Sequence, residues 1–292
     1  MTGLAPIDGL ALLAVGAKAA GYAAALLAMG GVLFVAVFRR IADADVLRLA
    51  RRLAAGAALV GLAVLAARFG IRAARISGMG WDGATDPMML GFVWQSPLGA
   101  AAIWRGLGEA AILAVLLPVA GLWLAIGGTV AVAVSYAQVG HTLGDPRAAL
   151  AVLLVLHLLA AAFWVGALAP LRRAAGDVDG ADLLHRFGIV ALGAVAALVA
   201  AGTALAWILS GSLPALFGTA YGWTLLGKVA VVTALFGLAA LNKLRLVPAL
   251  AAGDPSAPPA LRRSIALEGA AVILILVATA TLTTMTTPPV NL

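Results

Sequence analysis

The 292-residue chain is 64% hydrophobic and 11% charged, with a mean hydropathy of +1.09, far outside the range of soluble globular domains. The absence of Cys excludes disulfides, thiolate metal sites and cysteine catalysis. A formal charge of +7 in so apolar a chain marks membrane topology before it suggests nucleic acid. The expected fold class is therefore all-α: a polytopic membrane protein, residues 1–292 forming one membrane domain.

A span needs about 20 apolar helical residues, and eight segments meet that length. The first, 9–38, holds Lys18 and is not followed by a small-residue cleavage site, so it reads as a retained helix, not a removed signal peptide. The second, 53–76, carries Arg68, Arg72 and Arg75 on one helical face, as a helix end protruding into water or headgroups would. The loop after it, "ISGMGWDGATDPMML", contains Met79, Met88 and Met89. Residues 98–139 run on without a polar loop, yet such a helix would be about 63 Å long at 1.5 Å per residue. Pro118 and Gly121 mark the turn, giving a third span at 97–117 with Arg105 and Glu109, and a fourth at 119–139 followed by His141. The fifth, 148–170, has His157 near its middle, and the sixth, 183–210, has His185 at its start. The seventh, 222–247, spells Gly222, Gly227 and Lys228 at phosphate-loop spacing. A phosphate loop needs a preceding strand and a Ser or Thr after the Lys. Val229 follows here, inside an apolar run, so no nucleotide site is expected. The eighth, 263–284, has Glu268 near one end and Met285 in the tail "TLTTMTTPP".

Charge orients the spans. With the N-terminus outside, the inner loops and helix ends carry Arg39, Arg40, Arg48, Arg51, Arg52, Arg172, Arg173, Arg186, Lys243, Arg245, Arg262 and Arg263, most of the 19 basic residues. The positive-inside bias thus favours both termini outside. The chain also repeats itself: "FVAVFRR" closes the first span as "ALAPLRR" closes the fifth, and "SPLGAAAIWRG" opens the third as "TAYGWTLLGKV" opens the seventh. Gly99 then matches Gly222, and Arg105 matches Lys228. Two parallel four-helix halves, 1–141 and 142–292, follow, an arrangement in which sites form between repeats.

Ionisable groups inside a bilayer face the bundle interior, a partner or a water-filled cavity. For His157 two readings stand: a helix-to-helix hydrogen bond, or a ligand for a soft or borderline metal. Four of the six methionines, Met79, Met88, Met89 and Met285, face outside. Thioethers with imidazole and no thiol suit cuprous copper, whereas Met also serves as apolar filler. Glu109, Arg105 and Lys228 are read either as an ion pair tying the halves together or as a group coupled to ion or proton movement. Trp81, Trp94, Trp164 and Trp223 read as interfacial anchors or packing.

The chain resembles the copper resistance protein D (CopD) family of bacterial inner-membrane proteins. The resemblance rests on "VGH" at 139–141, "LHLLAAAFWVGAL" at 156–168, "RFG" at 186–188, "YGWTLLGK" at 221–228, "LNKLRLVPAL" at 241–250 and "LRRSIALE" at 261–268, in order and concentrated in 135–292. It implies an eight-helix protein of the inner (cytoplasmic) membrane that handles copper, commonly with a separate periplasmic CopC-type copper-binding protein; taken with the outer thioethers, the expected function is transport or acquisition of copper, as Cu(I), from the periplasmic face. Carried onto this sequence, it makes His141 and His157 metal ligands, with Met79, Met88, Met89 and Met285 at the outer face; in such a membrane the termini placed outside by the charge bias are periplasmic. No catalytic group is implied, and the chain is read as a non-enzyme. The competing reading is a haem b electron-transfer protein, since helical bundles with buried His commonly hold haem.

Overall fold

The computed structural model describes residues 7–176 and 180–291. Asp8 opens the first helix, α1 (Gly9–Phe38), its Oδ1 accepting from Ala11 N at 2.7 Å. The chain continues through α2 (Ala44–Ser77), a short α3 (Pro87–Gln95), α4 (Pro97–Ile112), α5 (Val119–Ala137), α6 (Arg147–Ala174) and α7 (Ala181–Ser210). A short α8 (Leu213–Gly218) leads into α9 (Ala220–Leu241), which passes through a π-helical turn, Asn242–Leu246, into α10 (Val247–Ala251). Last comes α11 (Ala257–Met285). Among the described residues, eight helical segments are long and apolar enough to cross a membrane, and they fall on the eight expected spans. The molecule is an all-α polytopic membrane protein.

The turn expected at Pro118 is present. A 3-10 turn, Leu113–Leu116, ends α4, and Pro118 caps α5. Where helices outrun their apolar windows, the extra turns carry charge. α2 begins at Ala44, well before residue 53, because Arg48, Arg51 and Arg52 continue the helix where hydropathy has already fallen; Arg, Ala and Leu are all good helix formers.

α1 is the central post, packing on α2, α5, α6 and α11. It meets α6 at Gly30 and Gly166, where a Cβ on Gly30 would lie 2.7 Å from the Gly166 Cα; only glycine allows backbones to approach so closely. Below that crossing Phe34, Phe38, Phe163 and Phe187 form a ring stack with centroids 5.0–6.1 Å apart. In the second half α7 lies along α6, and α9 lies along α11.

The sequence repeat has a local structural counterpart. α4 and α9 each follow a short helix, and each is opened by a hydroxyl cap: Ser96 Oγ accepts from Leu98 N at 3.2 Å, and Thr219 Oγ1 from Gly222 N at 3.1 Å. Gly99 and Gly222 stand in the first turn at the same offset from the cap. Each is pressed against a carbonyl of the short helix before it, Trp94 O and Leu216 O respectively. Six residues further on, each helix carries its cation, Arg105 or Lys228.

Candidate functional site

A cavity of about 1010 Å³ lies among α1, α2, α4, α5, α6, α7, α9 and α11. It occupies the end of the bundle where α1 begins and α2 ends. Lys18, Arg105, His157 and Lys228 all lie eight to ten residues from that end of their helices, which puts them at one depth, about 12–15 Å along the axis at 1.5 Å per residue. His157 is therefore held inside the bundle.

Gly202 of α7 faces the imidazole, and a Cβ there would lie 3.0 Å from Cε1. The His157 Nδ1 is 3.1 Å from Leu198 O. A carbonyl only accepts, so Nδ1 carries the proton, and in the neutral ring Nε2 keeps its lone pair. Of the two other histidines, His185 is exposed on the first turns of α7, at the opposite end. His141 belongs to the 3-10 turn Gly140–Leu143, and its side chain lies outside the described part of the structure.

The cavity is strongly cationic. Lys18, Arg68, Arg72, Arg75, Arg105 and Lys228 line it, and among the described residues no Asp or Glu does. The three arginines of α2, expected as a protruding helix end, thus border an interior space. The ion pair expected for Glu109 is not formed among the described residues. The Arg105 Nε donates to Ser135 Oγ at 3.1 Å, and its guanidinium lies 3.6 Å from the Tyr136 ring centroid. Glu109, one turn on, points instead toward Gly61 of α2, and its Oε2 is buried with no hydrogen-bond partner. The geometry favours this because Tyr136 offers Arg105 a π face, worth about 2 kcal/mol when desolvated, inside the same helical pair. Lys18 Nζ donates to Thr283 O at 2.7 Å, and Tyr22 shares a 3.1 Å hydrogen bond with Thr283 Oγ1. Arg68 and Lys228 make no hydrogen bond among the described residues. The ion pairs of the described residues, Arg173 with Asp45 (2.6 Å) and Arg186 with Asp182 (2.8 Å), belong to the other end of the bundle.

The methionines do not form one buried cluster. Met79 and Met88 are exposed, Met89 is half-buried beside Met88 on the first turn of α3, and Met285 is buried as the last residue of α11. No group of three or more His, Asp or Glu side chains able to hold a metal occurs among the described residues.

A second polar group lies deeper, and sequence reasoning missed it. Glu268 is 4% exposed; its Oε2 accepts from Trp164 Nε1 at 3.1 Å, and its Oε1 accepts from Asn242 Nδ2 at 2.5 Å. Of the two readings of Trp164, packing fits: it is buried against Phe236 and is also a hydrogen-bond donor, whereas Trp81, Trp94 and Trp223 are exposed. Asn242 starts the π-helical turn, a feature frequent at functional sites. The available signal was one amide and one acid in otherwise apolar runs, but nothing in the sequence pairs them.

The fold and this cavity define a multi-pass α-helical membrane protein with a largely apolar interior cavity lined by six cations and, among the described side chains, one histidine. Residues 181–282 match the family model "Copper resistance protein D", and residues 8–146 match "Copper resistance protein D-like, N-terminal domain". The chain belongs to the copper resistance protein D family, and copper handling at a membrane is what that family membership entails. No curated protein and no solved structure matches the chain.

Proposed function

We propose that the protein transports or acquires copper across a bacterial inner membrane, receiving Cu(I) at the periplasmic end of the bundle and passing it to His157. The observation that carries this is the His157 tautomer. With Nδ1 bound to Leu198 O, the ring is fixed in orientation and turns Nε2, the ligating nitrogen, away from the helix that holds it; such orientation by a backbone carbonyl is the usual support of a metal-binding imidazole. The imidazole lines a cavity at the same end of the bundle as Met79, Met88, Met89 and Met285. Those thioethers and His141 are the donors we assign to the entrance, where a periplasmic CopC-type protein would deliver the ion. Cu(I) favours thioether and imidazole donors. His185 stands at the opposite end from His157, so these two cannot share one haem iron.

The test compares His157→Ala with His157→Asn. Asn keeps a hydrogen-bonding group in the span but lacks an imidazole lone pair. Copper retained by purified protein, measured against the cellular copper phenotype, is expected to fall in both variants. Wild-type copper binding in His157→Asn would make His157 a structural hydrogen-bonder and end its assignment as a ligand.

A further inference from the structure

The cavity described above concentrates positive charge that no lining carboxylate among the described residues offsets. Six cationic side chains line it, and no carboxylate among the described residues does. Glu109, the nearest acid in sequence to Arg105, is not among the lining groups. Arg105 itself is 6% exposed, its guanidinium lying over the Tyr136 ring and donating one hydrogen bond among the described residues, from Nε to Ser135. Arg68 and Lys228 have no hydrogen-bond partner among the described residues, although both face this space. Cations at this depth persist where a counter-charge or polar partners meet them.

Two features say what kind of counter-charge. The first is the repeat. Arg105 and Lys228 stand at the same offset from the Ser96 and Thr219 caps, so each half of the protein contributes one cation at one depth, as expected for a single ligand bound between halves. A guanidinium fork plus ammonium groups is the donor set that suits the several oxygens of a phosphate. The second is the shape of the cavity. α7 and α9 flank it, lying instead along α6 and α11. Its apolar walls include Val199 of α7 and Val229 of α9, which are 46% and 50% exposed although they line it. α7 and α9 thus leave a gap in the apolar wall of the cavity.

We infer that the cavity is a phosphate-anion site, with Arg68, Arg105, Lys18 and Lys228 around the phosphate and an apolar exit between α7 and α9 for the chains of an anionic phospholipid. This goes beyond copper handling and does not depend on it. Neutralising the cavity would also lower the barrier that its own cations present to an entering metal cation, which gives the site a place beside the proposed copper path.

The experiment uses copper-free, full-length protein, so that its outcome is separate from that of the His157 variants. Wild type, Lys228→Gln, Arg68→Gln and Lys228→Arg are compared. The Gln changes delete no hydrogen bond seen here, so all four should fold. Thermal melting is followed in phosphate-free, lipid-stripped detergent, then with phosphatidylglycerol, phosphatidylcholine or inorganic phosphate added, and bound lipid is counted by native mass spectrometry. Stripped of lipid, the Gln variants should melt above wild type because like-charge repulsion is relieved. With phosphatidylglycerol the order should reverse, wild type and Lys228→Arg binding it about tenfold more tightly than the Gln variants, as expected when a charge-assisted phosphate contact is lost. Stabilisation by inorganic phosphate alone, lost in the Gln variants, would support the anion site and make its source a free anion. Equal binding of phosphatidylglycerol and phosphatidylcholine with no response to inorganic phosphate, or Gln variants that bind as wild type does, would overturn the inference.

Discussion

His157 shows how much one residue can declare from sequence and where that stops. An imidazole in an apolar span had to face inward, and it lines the cavity. That it donates to Leu198 O and rests against Gly202 was not legible, because both partners belong to another helix and neither carries a distinctive side chain. The contact with Gly202 is testable. A Cβ at 3.0 Å from Cε1 asks the ring to move by only a few tenths of an ångström, so Gly202→Ala should bind copper nearly as wild type. Gly202→Val places two further methyl groups against the ring and should turn Nε2 from its aim, weakening copper binding about tenfold, the lower end of what lost support of a ligand costs. Copper titration of the two variants beside His157→Ala checks this; equal binding in Gly202→Val and wild type would show that the ring orientation does not matter.

At the scale of elements, hydropathy located all eight spans because each is a long apolar run bounded by charge or proline. It missed α3 and α8, which are too short to register, and it started α2 and α11 too late and ended α6 too early because charged turns continue those helices. The same blindness affects the buried acids, which look alike in sequence and differ in structure. Glu109 has no ion-pair partner among the described residues and leaves Oε2 unpaired, whereas both oxygens of Glu268 accept hydrogen bonds, joining α6, α11 and the π turn after α9. Glu109→Gln removes no partner and should change stability by less than about 1 kcal/mol. Glu268→Leu strands the Trp164 indole N–H and the Asn242 amide, at about 1–3 kcal/mol for each orphaned donor. Glu268→Gln should lie between, since Asn242 Oδ1 is itself unpaired and a turned Asn242 amide could accept from the new Gln. Melting curves of the three variants in one detergent test the order. A loss with Glu109→Gln as large as with Glu268→Leu would mean that Glu109 holds a stabilising contact.

For the whole molecule, the cavity changes how the charge distribution is read. Counted by sequence, Arg68, Arg72 and Arg75 oppose an orientation with both termini outside, since they end α2 on the outer side. As lining groups of an interior cavity they are not loop charges, and the positive-inside rule counts charges in short loops and near span ends. Removing them leaves Arg147 as the basic residue at the outer end of a span, against the arginines and lysines from Arg39 to Arg263 at the other end. The orientation with outer termini is thereby favoured more strongly than the raw count allows. The chain contains no Cys, so single cysteines report sidedness without a background. Met79→Cys, in the exposed loop after α2, and Ala252→Cys, exposed after α10, stand at opposite ends of the bundle. A membrane-impermeant maleimide added to intact spheroplasts should label Met79→Cys at once and Ala252→Cys only after permeabilisation. The reverse pattern would put the cavity on the cytoplasmic side, and copper would then have to reach His157 from within the cell.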